Sequence, residues 1–148
     1  MNEVSIDTSS FAKFSRDLKR AEPVLARELR KDMLAAGEVV AVGARTLARG
    51  FSRKGDGTDR IPANIKVGVA GNRIRVYVPQ KRAPEARVIE HGGQPGTFRH
   101  PVFGNPDVWV SQPAHPFLHP AADAARPAVV VLAKRAIDKA LSEVHSHG

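Results

Sequence analysis

Six histidines, at positions 91, 100, 115, 119, 145 and 147, are the side chains of this sequence best suited to metal binding or proton transfer. His115 and His119 stand four apart, the spacing of a helical metal pair. Pro116 lies between them, however, and His119 precedes Pro120. A residue before proline is pushed towards extended backbone, so an unbroken helical turn across the pair is not expected. No H-E-x-x-H pattern occurs, and no nucleophile elbow, Walker loop or G-x-G-x-x-G. Glu90 and His91 are adjacent; read as neighbours on a strand, they point to opposite faces and do not share a proton. Asp56-Gly57-Thr58-Asp59 is too short for a calcium loop, which needs ~12 residues and a closing bidentate acid. The chain has no cysteine, which removes disulfides, thiolate zinc sites and a cysteine nucleophile, and fits folding in a reducing compartment. The residues therefore predict no catalytic centre, no metal and no cofactor, with the histidines making ordinary hydrogen bonds in a proline-rich loop.

Cations are the other chemical resource. The formal charge is +8, of which residues 1–60 contribute +3 and residues 61–148 contribute +5. Such a chain favours polyanions, either nucleic acid or an acidic protein surface; the plainer reading is a solvated basic surface. Arg53-Lys54 and Lys81-Arg82 are basic pairs expected in loops, where they could meet phosphates without reading sequence. Lys66, Arg73 and Arg75, together with Tyr77, form a second candidate surface, though one tyrosine is a poor stacking platform.

These groups must be carried by a single domain, since 148 residues supply one core. Hydrophobic residues make up 42% of the chain, but aromatics are limited to six Phe, one Trp and one Tyr. The core must rest on Val, Leu, Ile and Ala, and a thin core suits a protein stabilised by assembly. The start, Met1-Asn2-Glu3-Val4, lacks the features of a signal peptide, and no run approaches the ~18 apolar residues of a membrane span.

Val4-Ser5-Ile6-Asp7 alternates as a short edge strand. Thr8, Ser9 and Ser10 offer N-caps for a helix over 9–20 carrying Phe11, Phe14 and Leu18 on one face. Pro23 then opens a long amphipathic helix over 23–49, with Leu25, Leu29, Met33, Ala36, Val40, Ala44 and Leu47 in its apolar stripe and Gly50 as its C-terminal cap. Residues 52–63 read as a mobile polar loop. A hairpin follows over 64–79, in which Gly71-Asn72 is the two-residue turn. Closing it at Ala70 and Arg73 sets Val69 opposite Ile74, Val67 opposite Val76 and Ile65 opposite Val78, all on one face; a slip of one residue would scatter them. Residues 80–118 read as loop-rich, with a short apolar segment at 86–93 and Val108-Trp109-Val110 as a possible further strand. A C-terminal helix over 120–144 is expected to be divided at Pro127. The fold class is α+β: an antiparallel sheet built on the hairpin and packed against the long N-terminal helix and the C-terminal helix.

The segment from Ile89 to Ala122 carries a resemblance. It contains Ile89-Glu90-His91-Gly92-Gly93, then Arg99-His100-Pro101-Val102-Phe103-Gly104-Asn105, then Pro116-Phe117-Leu118-His119-Pro120-Ala121. These resemble the "V-E-x-G" element, "R-H-P-V-F-G" loop and "P-F-L-x-P-A" step of the minor tail-component family of lambdoid siphophages, whose members are head–tail joining or tail-completion proteins. The order of elements is also similar. Two departures are His91 in place of the family's usual aromatic, followed by an additional glycine, and Pro127 in the last helix. The resemblance implies a virion protein of the neck or upper tail, made in the host cytoplasm and assembled as a ring, commonly a hexamer. Its implied partners are further copies of itself, a connector or stopper, and a tail terminator or tail tube. Genomic DNA would pass through with transient, non-specific contact, and neither membrane nor catalysis is implied. Aromatics outside the helices often anchor interfaces, which makes Phe103 and Trp109, with Arg99 and His100 beside them, the candidate subunit contacts. Phe117 is the better candidate for core packing, and Trp109 suits either role. Arg53, Lys54, Lys81 and Arg82 are the candidate lumen-facing cations. Two other readings stay open: a small basic protein that binds DNA without sequence preference, and a histidine metalloenzyme.

Overall fold

The computed structural model describes residues 2–7, 11–55, 57–70, 73–91, 97–102 and 105–146. The chain runs β1 (Asn2–Asp7), α1 (Phe11–Ala21), α2 (Pro23–Phe51), two single 3-10 turns, β2 (Lys66–Ala70), β3 (Arg73–Val78), α3 (Glu85–His91), β4 (Thr97–Val102), β5 (Asn105–Pro113) and α4 (Leu118–Ser146). It is an α+β fold. The N-cap residues expected before α1, at 8–10, and the hairpin turn at 71–72 lie outside the described residues.

One antiparallel sheet has the order β1-β3-β2. Its register places Val69 opposite Ile74 and Val67 opposite Val76, as the matching alternations require, and β1 joins the other side of β3 with Val4 opposite Val76. Ile74, Val76 and Val78 are buried. Lys66, Arg73, Arg75 and Tyr77 occupy the opposite face, where Arg75 reaches across to Glu3 at 2.5 Å and stacks over the Tyr77 ring at 5.1 Å. One cation of that face is thus already neutralised within the chain.

The helices α2 and α4, 29 residues each and therefore about 43 Å long, pack antiparallel. Leu25 and Leu29 at the start of α2 meet Ala136 and Ala140 near the end of α4, while Gly43 faces Ala121. The buried residues of both helices are rich in alanine: Ala36, Ala41, Ala44 and Ala48 in α2, and Ala121, Ala122, Ala133, Ala136 and Ala140 in α4. Small side chains let two helix axes approach closely, so a core poor in aromatics can still be well filled. Helix α2 lies over β2 and β3, α4 reaches β1, and α1 packs on α2. Arg30 and Arg45 of α2 donate to the carbonyls of Val69 and Ile65, holding the two ends of the edge strand β2.

Four expectations need correction. Residues 52–63 are not a free loop. Ile61 and Pro62 are buried, Ser52 Oγ donates to the Thr58 carbonyl, and Arg60 is paired with Glu85 of α3 at 2.5 Å. Gly50 does not cap α2; it lies in the last turn, and Ser52, in extended conformation, ends the helix. The segment 80–118, expected to be loop-rich with a strand at Val108-Trp109-Val110, has that strand within β5 and also contains α3 and β4.

Nor is α4 divided at Pro127, which sits inside one continuous helix. Packing along α2 on both sides of that point, from Ala121 to Ala140, outweighs the missing hydrogen bond. Pro127 is exposed, so the local penalty is recoverable. Pro127→Ala is expected to stabilise the fold by about 2 kcal/mol and raise the melting temperature by about 5 °C. A melting temperature equal to or below that of the parent in calorimetry would refute this.

Candidate functional site

The start of α4 has a hydrogen-bonding problem. A helix presents unpaired N–H groups in its first turn, and they are usually met by a Ser, Thr, Asp or Asn just before it. Here the preceding residue is Phe117, whose side chain is apolar and fully buried. The acceptor comes from another element. Glu90, near the end of α3 and only 3% exposed, accepts from the backbone N–H of Phe117 (2.7 Å) and Leu118 (2.9 Å) through Oε2, and from that of His119 (2.9 Å) through Oε1. Pro120 has no N–H to satisfy, and the Ala121 N–H returns to the Phe117 carbonyl. The accounting for the first turn is then complete.

Glu90 Oε1 also lies 2.6 Å from His119 Nδ1, and with a carboxylate as acceptor the ring nitrogen is the donor. The His91 ring meets the His119 ring edge-on with centroids 5.4 Å apart. A further bond, from the His115 N–H to the Ile89 carbonyl at 2.8 Å, ties the same two segments. Burial alone would push the Glu90 carboxyl up. The three N–H donors and His119 outweigh it and hold the carboxyl below its ordinary range. A carboxyl lowered in the folded state contributes stability that is complete above its unfolded value and is lost as pH falls through its folded value. The stability of the chain should therefore decline as pH falls from about 5 to about 3, and Glu90→Gln should flatten that part of the profile. Urea midpoints measured across this window check it; parallel profiles for the two proteins would refute it.

The adjacency of Glu90 and His91 thus has a different meaning from the one expected on a strand. Both are on a helix, Glu90 faces in, His91 is exposed, and the partner of Glu90 is His119. A buried carboxylate orienting a half-exposed imidazole is part of a general-base arrangement. Among the described residues, no hydroxyl or thiol is hydrogen-bonded to His119, and no group of three or more His, Cys, Asp or Glu is placed to hold a metal ion. His115 is outside α4, with its ring stacked on Phe51 at 5.7 Å.

The staple at Glu90 closes the base of an arm. Strands β4 and β5 leave from α3 and return to α4, pairing antiparallel from Thr97 opposite Pro113 to Pro101 opposite Trp109, with a register shift after Pro101. Among the described residues they pack chiefly on each other. Residues 105–111 are all exposed, including Val108 (46%), Trp109 (52%) and Val110 (38%). Alternation puts Asp107 and Trp109 on one face and Val108 and Val110 on the other.

The arm brings together several predicted contact residues. Arg99 is exposed on β4, His100 stands opposite Val110, and Trp109 is on β5; Phe103 and the side chain of His100 lie outside what is described. Phe117 is in the core. Among the predicted lumen cations, Arg53 and Lys54 are exposed just beyond α2, and Lys81 and Arg82 are exposed in the turn after β3. The Arg60–Glu85 pair ties the segment that follows the first two to the helix that follows the second two.

Beside the base of the arm, a groove of about 680 Å³ opens between the end of α2 and the chain returning from β5. Leu47, Phe51, Ile89, Pro113 and Pro116 supply its apolar walls, and Arg53 supplies a cation. Sequence reasoning missed this groove, the capping role of Glu90, and Asp107. The signal for Glu90 was present: Pro116-Phe117-Leu118-His119-Pro120 begins a helix without a capping side chain of its own, so an acceptor had to come from elsewhere. Comparisons of the chain with protein-family models, with curated proteins and with solved structures give no match.

Proposed function

We propose that this chain is a structural subunit of a tailed-phage particle, a head–tail joining or tail-completion protein that forms a ring in the neck through which DNA passes. It works by assembly and not by catalysis. The observation that carries this reading is the exposed β4–β5 arm. The three stretches that resemble the siphophage family, around Glu90, Arg99 to Asn105, and Phe117 to Ala121, build the staple, the arm and the start of α4 as one unit. An arm whose apolar groups face solvent on both sides is suited to docking, and its partners are further copies, a connector or stopper, and a tail terminator or tail tube. The exposed pairs Arg53-Lys54 and Lys81-Arg82 suit transient contact with passing DNA. No described helix is long and apolar enough to cross a membrane.

Mixing the purified chain with connector-bearing heads and with tail tubes tests the reading. Incorporation at either end, seen as co-sedimentation and as a ring in electron micrographs, supports it; failure to join either one sinks it. The charge of +8 leaves a second reading, a small basic protein that binds duplex DNA without sequence preference. It requires low-salt affinity that falls steeply with added salt.

A further inference from the structure

We infer that the arm of one copy docks in the groove of the next, with Trp109 as its anchor and Asp107 facing Arg53; this deepens the ring reading and rests on it. The arm exposes a large aromatic, 52% accessible, with an acid two residues away on the same face of β5. The groove is large enough for an indole and adjoining strand, is walled by Leu47, Phe51 and Pro116, and carries the cation Arg53 at its edge. Size, apolar walls and charge sign therefore match. The groove lies beyond reach of its own Trp109. Pro113 is part of the groove wall, and Trp109 stands four residues farther out on a paired strand, about 13 Å away. Two different surfaces of one chain that fit each other make a head-to-tail contact, and repetition of such a contact closes into a ring when the rotation allows.

The test uses the full chain and its variants Trp109→Ala and Leu47→Glu, both at exposed positions, with folding checked by circular dichroism. Light scattering over a concentration series should show multimers of the parent and self-association about 30-fold weaker in each variant. A 1:1 mixture of the two variants retains one intact contact, so it should form a dimer of one copy of each and stop there. A second measurement uses the absence of native cysteine. Asp107→Cys and Arg53→Cys copies, mixed and oxidised, should give the mixed dimer in excess over either homodimer, and both substitutions in one chain should give a ladder. Undiminished multimers of Trp109→Ala, or a mixture no more associated than its components, overturn the arm-in-groove contact and leave the ring reading intact. A parent that stays monomeric at every concentration and yields no selective disulfide also overturns it, while the ring reading is decided separately by joining to heads or tails.

Discussion

Glu90→Ala is expected to destabilise the fold by about 4 kcal/mol, lowering the melting temperature by about 12 °C. The substitution leaves the N–H groups of Phe117, Leu118 and His119 without their acceptor at a position where Glu90 was 3% exposed. Each unmet buried donor costs ~1–3 kcal/mol, and water entering the vacated space recovers part of the sum. Glu90→Gln keeps the volume and one acceptor oxygen but turns an NH2 group towards the same donors, so it should recover no more than about half the loss. Chemical denaturation with both variants checks the order. A Glu90→Ala protein within 1 kcal/mol of the parent would mean that the cap does not contribute to stability as argued.

The second large effect concerns the glycines of α2, where the same substitution should have opposite signs. In an exposed helical position, glycine to alanine stabilises by up to ~1 kcal/mol. Gly50 is such a position: an added methyl meets nothing within 4 Å, and Gly50→Ala should gain that amount. At Gly37 the methyl would fall 2.5 Å from Val67 Cγ1 and 2.6 Å from Ile74 Cγ2. Both neighbours are β-branched and restricted at χ1, so neither swings aside. Helix and sheet must separate instead, and Gly37→Ala should cost about 3 kcal/mol net of the helical gain. Equal midpoint shifts for the two variants in urea would refute the reading that Gly37 lets α2 lie close against Val67 and Ile74.

How legible each element was depends on whether one local pattern had to satisfy one buried face. The β2–β3 register could be read because two alternating runs had to place Val67, Val69, Ile74 and Val76 on the same side, and only one pairing does so. The α2 stripe was legible from Leu25 to Ala44, all buried, but its last member is Ala48 and not Leu47, which is 43% exposed. Leu47 keeps to the line of the stripe but opens onto the groove at the end of α2, whereas Ala48, one residue on, is turned to a buried side. The arm was hidden for the opposite reason. Both of its faces meet solvent, so no alternation marks it, and Pro101, Pro106 and Pro113 suggested loop. In a two-stranded hairpin each strand keeps one unpaired edge, where proline is tolerated. Helix α3 is too short, at seven residues, to show a periodicity, and its key residue acts through a contact 27 positions away in sequence. The groove depends on that same tertiary contact.

The bond from His115 to Ile89 and the Glu90 cap also have a consequence for how such a chain can change over time. The body of the fold holds the two ends of the 92–114 excursion together with its own hydrogen bonds. The entropy of closing that excursion is therefore met by the body and not by the strands within it, and it varies only slowly with length. Substitutions in β4 and β5, or a change in their length, leave the α2–α4 seam and the three-stranded sheet untouched. The excursion is in this sense an exchangeable cassette: its sequence is free to follow whatever surface it meets, while the residues at its root are held first by folding.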